Sequence, residues 1–274
     1  MCTLTVLGVV LAIFFLAFNI YFRKQRYIKM SSPYVNNLIT VGSILTYLSV
    51  ILLGIDTRLV SEENFGRICT AKVWTLCLGF TLAFGSMFSK TWRVHSIFTN
   101  VQLNRKAIKD FKLFLIVGIL LLVDGIVLTI WLIIDPMKMD VKALPIRGNL
   151  LIKPNIEYCK TEYTVFFQSI LYGYKGIILL LGCFLAWETR NVNVPALNDS
   201  KYIGMSVYNV VVMCALGVAI SFILQDRVNE SFILISSFVI FCTTLTLCLV
   251  FVPKVSIINH RSDLSYENLC TVMD

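Results

Sequence analysis

The chain alternates between long apolar runs and short polar connections. Seven runs are long enough to cross the hydrocarbon core of a bilayer, which needs about 20 apolar residues at a rise of about 1.5 Å each. They predict helices over residues 3–22, 35–55, 69–94, 113–134, 165–187, 203–224 and 230–252. The predicted fold is therefore an all-α membrane protein, with a seven-transmembrane helix bundle over residues 1–254 and a short cytoplasmic tail over 255–274.

The third run is the least hydrophobic of the seven and is rich in small residues, among them Gly79, Ala83, Gly85 and Ser86. Small residues allow helix backbones to approach closely in a membrane, where burial from water does not drive association. We therefore expect this helix to be central and surrounded by protein. The sequence shows no internal repeat, which argues against an inverted-repeat transporter.

Composition and charge support a membrane protein and indicate its orientation. Of the 274 residues, 57% are hydrophobic and 15% charged, whereas a soluble domain carries about 25% charged residues. The first connection holds Arg23, Lys24, Arg26 and Lys29 without an acid, and such short basic loops stay in the cytoplasm. This predicts an N-terminus outside and a C-terminus inside, with the net charge of +8 facing anionic lipid rather than nucleic acid.

Most of the nine cysteines lie inside the apolar runs, where cysteine acts as a small hydrophobic residue. In the predicted topology Cys69 and Cys159 fall at the outer face, where the environment is oxidising. We hypothesise a disulfide between them, with two free or differently paired thiols as the alternative. The sequence contains no Cys/His cluster, nucleophile elbow or phosphate loop, so it predicts neither a metal site nor an enzyme.

Two charged residues fall in the middle of predicted helices. Asp124 lies in the fourth helix and Lys175 in the fifth, and the helical rise places both near the midplane of the bilayer. An unpaired charge at this depth is unfavourable by about 3 kcal/mol or more. We hypothesise that the two neutralise each other inside the bundle or that one meets a ligand head group; a proton relay is a further alternative.

A second pairing is predicted at the inner end. Lys90 follows Cys69 by about 31 Å along one helix, and Asp199 opens the sixth helix at the same level. We hypothesise a Lys90–Asp199 bridge, which as a half-solvated pair contributes only about 1 kcal/mol and suits an element that opens and closes. In the alternative, Asp199 caps its helix and Lys90 extends along the bundle surface to the interface.

The inner connection over 101–112 is basic. It holds Arg105, Lys106 and Lys109 with Asp110 as its one acid. We expect it to present a partly helical surface to a peripheral partner protein or to lipid.

Three stretches resemble a known receptor family. They run from Phe88 to His95 (FSKTWRVH), from Gly182 to Asn191 (GCFLAWETRN) and from Pro195 to Asn209 (PALNDSKYIGMSVYN). With seven spans and the two outer cysteines, they resemble the class C G-protein-coupled receptors, and within them the type 2 subunits of the GABA-B receptors. The resemblance extends over roughly residues 1–255.

The resemblance implies a multi-pass plasma-membrane receptor subunit that couples to Gi/o proteins, paired with a second GABA-B-like subunit. It implies a Cys69–Cys159 disulfide and a Lys90–Asp199 inner lock that opens on activation. The other implied sites are G-protein contacts at Arg105, Lys106 and Lys109, a dimer interface at Tyr208 and Asn209, and a bound phospholipid near Asp124 and Lys175.

Members of this family carry a large extracellular ligand-binding domain before the first helix, and the expectation here is a chain without it, so agonist binding is assigned to no residue. Two other functions stay open. The chain could act as a non-signalling partner for dimerisation and trafficking, or as a transporter or channel, although only Asp124 and Lys175 lie deep enough to line a pore.

Overall fold

The structure is a computed structural model that describes residues 1–55, 62–99, 110–143, 155–190, 200–223 and 228–273. These residues form eight helices and one hairpin. The helices are α1 (Cys2–Tyr21), α2 (Arg26–Met30), α3 (Pro33–Leu53), α4 (Glu62–Thr99), α5 (Asp110–Ile134), α6 (Thr164–Glu188), α7 (Ser200–Ile223) and α8 (Val228–Met273). The hairpin between α5 and α6 consists of β1 (Lys138–Ala143) and β2 (Asn155–Lys160).

Within these described residues, seven helices are long and apolar enough to cross a membrane. They are α1 and α3 to α8, and they confirm the predicted seven-helix bundle. Two helices are longer than the apolar pattern indicated, because α4 has 38 residues and α8 continues through Pro253 to Met273. Hydropathy marks only the part of a helix that matches the hydrocarbon core, so polar turns at either end escape it.

The central helix is α4, which contacts α3, α5, α6 and α7, as its small residues predicted. Its packing against α3 depends on two glycines. A Cβ atom on Gly42 would lie 2.4 Å from the backbone nitrogen of Ala83, and one on Gly79 would lie 2.8 Å from the backbone nitrogen of Thr46. The two backbones are therefore in direct contact, a separation that only residues without a side chain permit.

The buried apolar side chains form two clusters. The larger draws on α1, α3, α4, α6, α7 and α8 and includes Phe15, Tyr47, Phe84 and Phe251. The smaller lies between α4, α5 and α6, where Trp131 stacks on Phe167 with ring centroids 5.3 Å apart. The two clusters meet at α4, which makes this helix the axis around which the bundle packs.

The hairpin covers the end of the bundle where α4 begins, here called the disulfide end. β1 and β2 are antiparallel, with Met139 opposite Cys159. The backbone carbonyl of Met137 lies 2.6 Å from where a Cβ atom on Gly66 would stand, so β1 rests directly on the first turns of α4.

The opposite end is organised by the connection between α1 and α3. It contains α2, whose Ile28 is fully buried, and Ser32, whose φ of 54° is in the left-handed region. Pro33 then starts α3 at the first helical position, where its missing N–H costs nothing. This connection brings Ser31 and Ser32 close to the end of α4.

Candidate functional site

A buried ion pair joins α5 and α6 within the membrane-spanning part of the bundle. Lys175 Nζ lies 3.1 Å from Asp124 Oδ1 and donates a hydrogen bond to Oδ2, also at 3.1 Å. The Asp124 side chain is fully buried, and 13% of the Lys175 side chain is exposed. The structure thus brings together the two charges that the sequence places in mid-helix.

Helix α4 supplies hydrogen-bonding atoms to both members of this pair. The Thr81 hydroxyl donates to Asp124 Oδ2 and accepts from Lys175 Nζ at 2.7 Å. The Cys77 thiol donates to Asp124 Oδ1 at 3.5 Å, while the Cys77 carbonyl accepts from Lys175 Nζ at 3.4 Å. A buried charge is tolerated when it is both paired and hydrogen-bonded, and this group meets both conditions.

Two aromatic rings complete the surroundings of the ammonium group. Lys175 Nζ lies 4.9 Å from the ring centroid of Phe80 and 5.2 Å from that of Tyr174, and the negative face of a ring attracts a cation. The cluster therefore acts as a polar clamp on α4, α5 and α6. The ligand contact that the sequence analysis allowed at Asp124 and Lys175 stays a prediction.

Lys90, near the other end of α4, is 2% exposed. Its ammonium group donates to Ser31 Oγ at 3.3 Å and to Oδ1 of Asn36, and Asn36 Nδ2 donates to Ser31 Oγ at 3.1 Å. The alternative of a lysine that extends along the bundle surface is therefore wrong, because the side chain points into the bundle. Asp199 lies outside the described residues, so the Lys90–Asp199 bridge stays a prediction.

Arg93 forms a second polar contact one turn further along α4. Its Nη1 lies 3.1 Å from Asp110 Oδ1 in an ion pair and donates to Ser32 Oγ. The Ser32 hydroxyl in turn donates to Asp110 Oδ1 at 2.7 Å. Sequence reasoning missed this group; the one available signal is that Arg93 follows Lys90 by three residues and so lies on the same helix face.

Asn19 at the end of α1 fixes the start of α3 from the other side. Its Nδ2 donates to the Pro33 carbonyl at 2.8 Å and to Asn37 Oδ1 at 2.6 Å. The first connection is thus held by α1 through Asn19 and by α4 through Lys90 and Arg93. Polar contacts at this end join four helices, α1, α3, α4 and α5.

The remaining predicted residues fall in different places. Cys69 and Cys159 form a disulfide with Cα atoms 5.9 Å apart, which ties β2 to the start of α4. Arg105, Lys106 and Lys109 lie outside the described residues, so their contact with a G protein stays a prediction.

Tyr208 and Asn209, the predicted dimer contacts on α7, both touch their own bundle. Asn209 Nδ2 donates to the Cys242 carbonyl and to Thr246 Oγ1 of α8, both at 3.2 Å. Tyr208 is half-buried and packs against the larger apolar cluster. Their role in a dimer stays a prediction, and the neighbouring exposed positions on α7 are apolar, including Met205, Val212 and Leu216.

Comparison with known proteins identifies the family behind this geometry. A family model described as "7 transmembrane sweet-taste receptor of 3 GCPR" matches residues 1–254. The chain belongs to the class C G-protein-coupled receptors. This is a family of receptors rather than of enzymes.

Two kinds of relative refine the position within the family. Identity is 59% over 257 residues to gamma-aminobutyric acid type B receptor subunit 2 of Caenorhabditis elegans, which covers 93% of the chain and 30% of that relative. Identity to human subunit 2 is 50% over 270 residues, covering 97% of the chain and 29% of the relative. Identity to subunit 1 of Rattus norvegicus is 37% over 277 residues, covering 98% and 29%.

The chain is therefore a GABA-B type 2-like class C receptor sequence and a multi-pass plasma-membrane protein. It spans about 30% of the length of the curated subunit 2 relatives it matches. The matching part contains all of the polar contacts described above.

Proposed function

We propose that the chain is the signal-transducing transmembrane module of a GABA-B type 2-like receptor. Its N-terminus lies outside and its C-terminus inside. It activates Gi/o proteins through its inner loops and works as one subunit of a heterodimer with a second GABA-B-like subunit. The disulfide end then faces the exterior and the end with Lys90 faces the cytoplasm.

The observation that carries this proposal is the buried Lys90 at the inner end. Its ammonium group donates to Ser31 and Asn36, which holds the charged end of the side chain inside the bundle at this level. An anionic partner supplied by Asp199 would close the inner face, and loss of that partner would open it. A pair of this kind is a two-state element of the sort that receptors use.

The heterodimer is supported by the pattern of relatives. The chain is closer to subunit 2, at 50–59% identity, than to subunit 1, at 37%. A chain of one subunit type is expected to pair with the other type, and we assign Tyr208 and Asn209 on α7 to the contact in the active dimer.

A bound phospholipid is part of the proposal. Lys175 keeps 13% of its side chain exposed, so an anionic lipid phosphate can approach its positive charge while it stays paired with Asp124. Mass spectrometry of gently purified protein should detect phospholipid at a defined ratio, reduced in Lys175→Met relative to the wild type. An equal ratio in both proteins would remove Lys175 from the lipid site.

Nucleotide exchange tests the coupling. The chain is expressed with a GABA-B subunit 1 in cells, and exchange on purified Gi/o is measured in the isolated membranes. We expect exchange above that of membranes with subunit 1 alone, and a loss of most of this increment when Arg105, Lys106 and Lys109 are all changed to Ala. The single changes Arg105→Ala, Lys106→Ala and Lys109→Ala are compared with Lys201→Ala on α7, which removes one exposed positive charge outside this loop.

Two results would contradict the proposal. No exchange at normal surface level, with subunit 1 brought to the surface, identifies a non-signalling partner instead. An ion current that depends on Lys175 identifies a transporter or channel.

A further inference from the structure

The first connection, residues 22–32, carries four exposed basic side chains. Arg23 and Lys24 follow the end of α1, and Arg26 and Lys29 lie on α2. The connection itself contains no acid. Among the residues that the structure describes, none of the four forms an ion pair. The described part of the chain therefore leaves four positive charges on this surface.

Other cations at the same end of the bundle are held inside it. Lys90 is 2% exposed and donates to Ser31 and Asn36, and Arg93 is paired with Asp110. These two residues serve the packing between helices. The four exposed cations of the first connection are instead available to a partner outside the chain.

Helix α2 fixes the relative positions of two of the four cations. Its Ile28 is fully buried and the helix contacts α3, so this short segment is anchored to the bundle. Arg26 and Lys29 are three positions apart, and side chains at this spacing are neighbours on a helix surface. A guanidinium group offers paired N–H donors and an ammonium group a compact charge. Together they present donors to several phosphate oxygens at once.

Exposed tyrosines mark the level of this surface in the membrane. Tyr21, the last residue of α1, is 80% exposed, and Tyr34, near the start of α3, is 55% exposed. Tyrosine is enriched where a membrane meets water, because its ring is apolar and its hydroxyl polar. Both α1 and α3 are long and apolar enough to cross a membrane. The four cations between them therefore lie at the level of the lipid head groups.

We propose that the first connection binds a phospholipid whose head group carries phosphomonoesters. Arg26 and Lys29 are its central contacts, with Arg23 and Lys24 beside them. A phosphomonoester has a charge of about −1.5 to −2 near pH 7 and three acceptor oxygens, whereas the phosphodiester of an ordinary phospholipid has a single charge. Clusters of about four to eight basic residues directly after a membrane span are typical of such recognition.

This inference goes beyond receptor coupling, and its test does not depend on coupling. A lipid added to the purified chain in detergent reaches both ends of the bundle, so neither the orientation in cells nor a G protein enters the measurement. A chain that fails to activate Gi/o could still bind the lipid, and the reverse also holds. The site also differs from the proposed lipid contact at Lys175, which lies in the middle of α6.

The test titrates the purified chain with phosphatidylinositol 4,5-bisphosphate and measures the bound lipid by native mass spectrometry. Phosphatidylserine, which has no phosphomonoester, is compared at equal total charge. We expect the phosphoinositide to bind about tenfold more tightly or better, and Arg26→Gln/Lys29→Gln to lose about tenfold of this affinity or more. The control Lys112→Gln/Lys201→Gln removes two exposed positive charges from α5 and α7 and should bind like the wild type.

Each outcome supports or overturns the site. Equal binding of the two lipids shows a diffuse attraction to negative charge and overturns it. Unchanged affinity in Arg26→Gln/Lys29→Gln, or an equal loss in the control, overturns the assignment to α2. If Arg26→Gln/Lys29→Gln also melts at a lower temperature without lipid, the charge-keeping variant Arg26→Lys/Lys29→Arg decides. Wild-type affinity in that variant supports the contact, and an equally weak affinity overturns it.

Discussion

At the scale of single residues, the charges inside the bundle are the most informative feature. Asp124 is fully buried at membrane depth, where an unpaired ion is unfavourable by about 3 kcal/mol or more. Lys175 neutralises it, and Thr81 hydrogen-bonds to both members of the pair. Thr81, together with Cys77, thus adds α4 to the α5–α6 contact and makes it a three-helix contact.

Replacing one member of the Asp124–Lys175 pair should destabilise the protein more than replacing both. Asp124→Asn or Lys175→Met alone leaves one buried ion without its partner and should cost about 3 kcal/mol. The double variant should cost clearly less than the two single costs added together. Thermal unfolding in detergent measures all three, with the exposed Thr129→Val on α5 as the control, and strictly additive losses would refute pairing.

The proposed role of Asp199 is to neutralise Lys90. Asp199→Ala should raise basal nucleotide exchange, since the inner face then loses the anion that keeps it closed. The neighbouring Asn198→Ala is the matched control. Basal exchange equal to the wild type at matched surface expression would remove the lock from the mechanism.

At the scale of elements, the tight α3–α4 packing determines the geometry of the bundle. The atoms that face Gly42 are the backbone nitrogen of Ala83 and the carbonyl oxygen of Gly79, and backbone atoms cannot rotate away as a side chain could. Both helices also lead to the inner end, where Asn36 of α3 meets Lys90 of α4. A shift between these helices would therefore change the inner polar contacts.

Alanine substitutions in the glycines test this packing. Gly42→Ala should destabilise the protein by about 2 kcal/mol, because the added methyl group forces the helices apart. Gly118→Ala on α5 adds the same methyl group where no atom lies within 4 Å and should be neutral or slightly stabilising. Equal melting temperatures for the two variants would show that the close approach is not required.

At the scale of the whole molecule, the orientation of the bundle decides which end faces the cytoplasm, where the proposed G-protein contact would form. Seven spans place the two termini on opposite sides, and the basic first connection predicts that the N-terminus is outside. The Cys69–Cys159 disulfide requires an oxidising compartment, which is consistent with this orientation.

Epitope tags on the two termini test the orientation in cells. Antibody should reach the N-terminal tag on intact cells and the C-terminal tag only after permeabilisation. A tag inserted between residues 144 and 154 of the hairpin connection should behave like the N-terminal tag. Two termini accessible on the same side would contradict the seven-span receptor.

The sequence by itself determined the number and approximate limits of the spans, the central position of α4, and the residue types that had to pair. It did so because a helix in lipid satisfies its own backbone hydrogen bonds, so an apolar run of sufficient length forms a span whatever its neighbours are. It also carried the class C resemblance, through short stretches such as that from Phe88 to His95.

Only the tertiary structure decided which side chains meet. Ser32 and Arg93 are 61 positions apart in the chain, and Thr81 reaches Lys175 across 94 positions. Such contacts depend on helix rotation and on the close approach that Gly42 and Gly79 allow, neither of which a single helix specifies. The fold therefore followed from local hydrophobicity. The contacts among Ser32, Arg93 and Asp110 and the polar clamp around Lys175 arose from packing between distant segments.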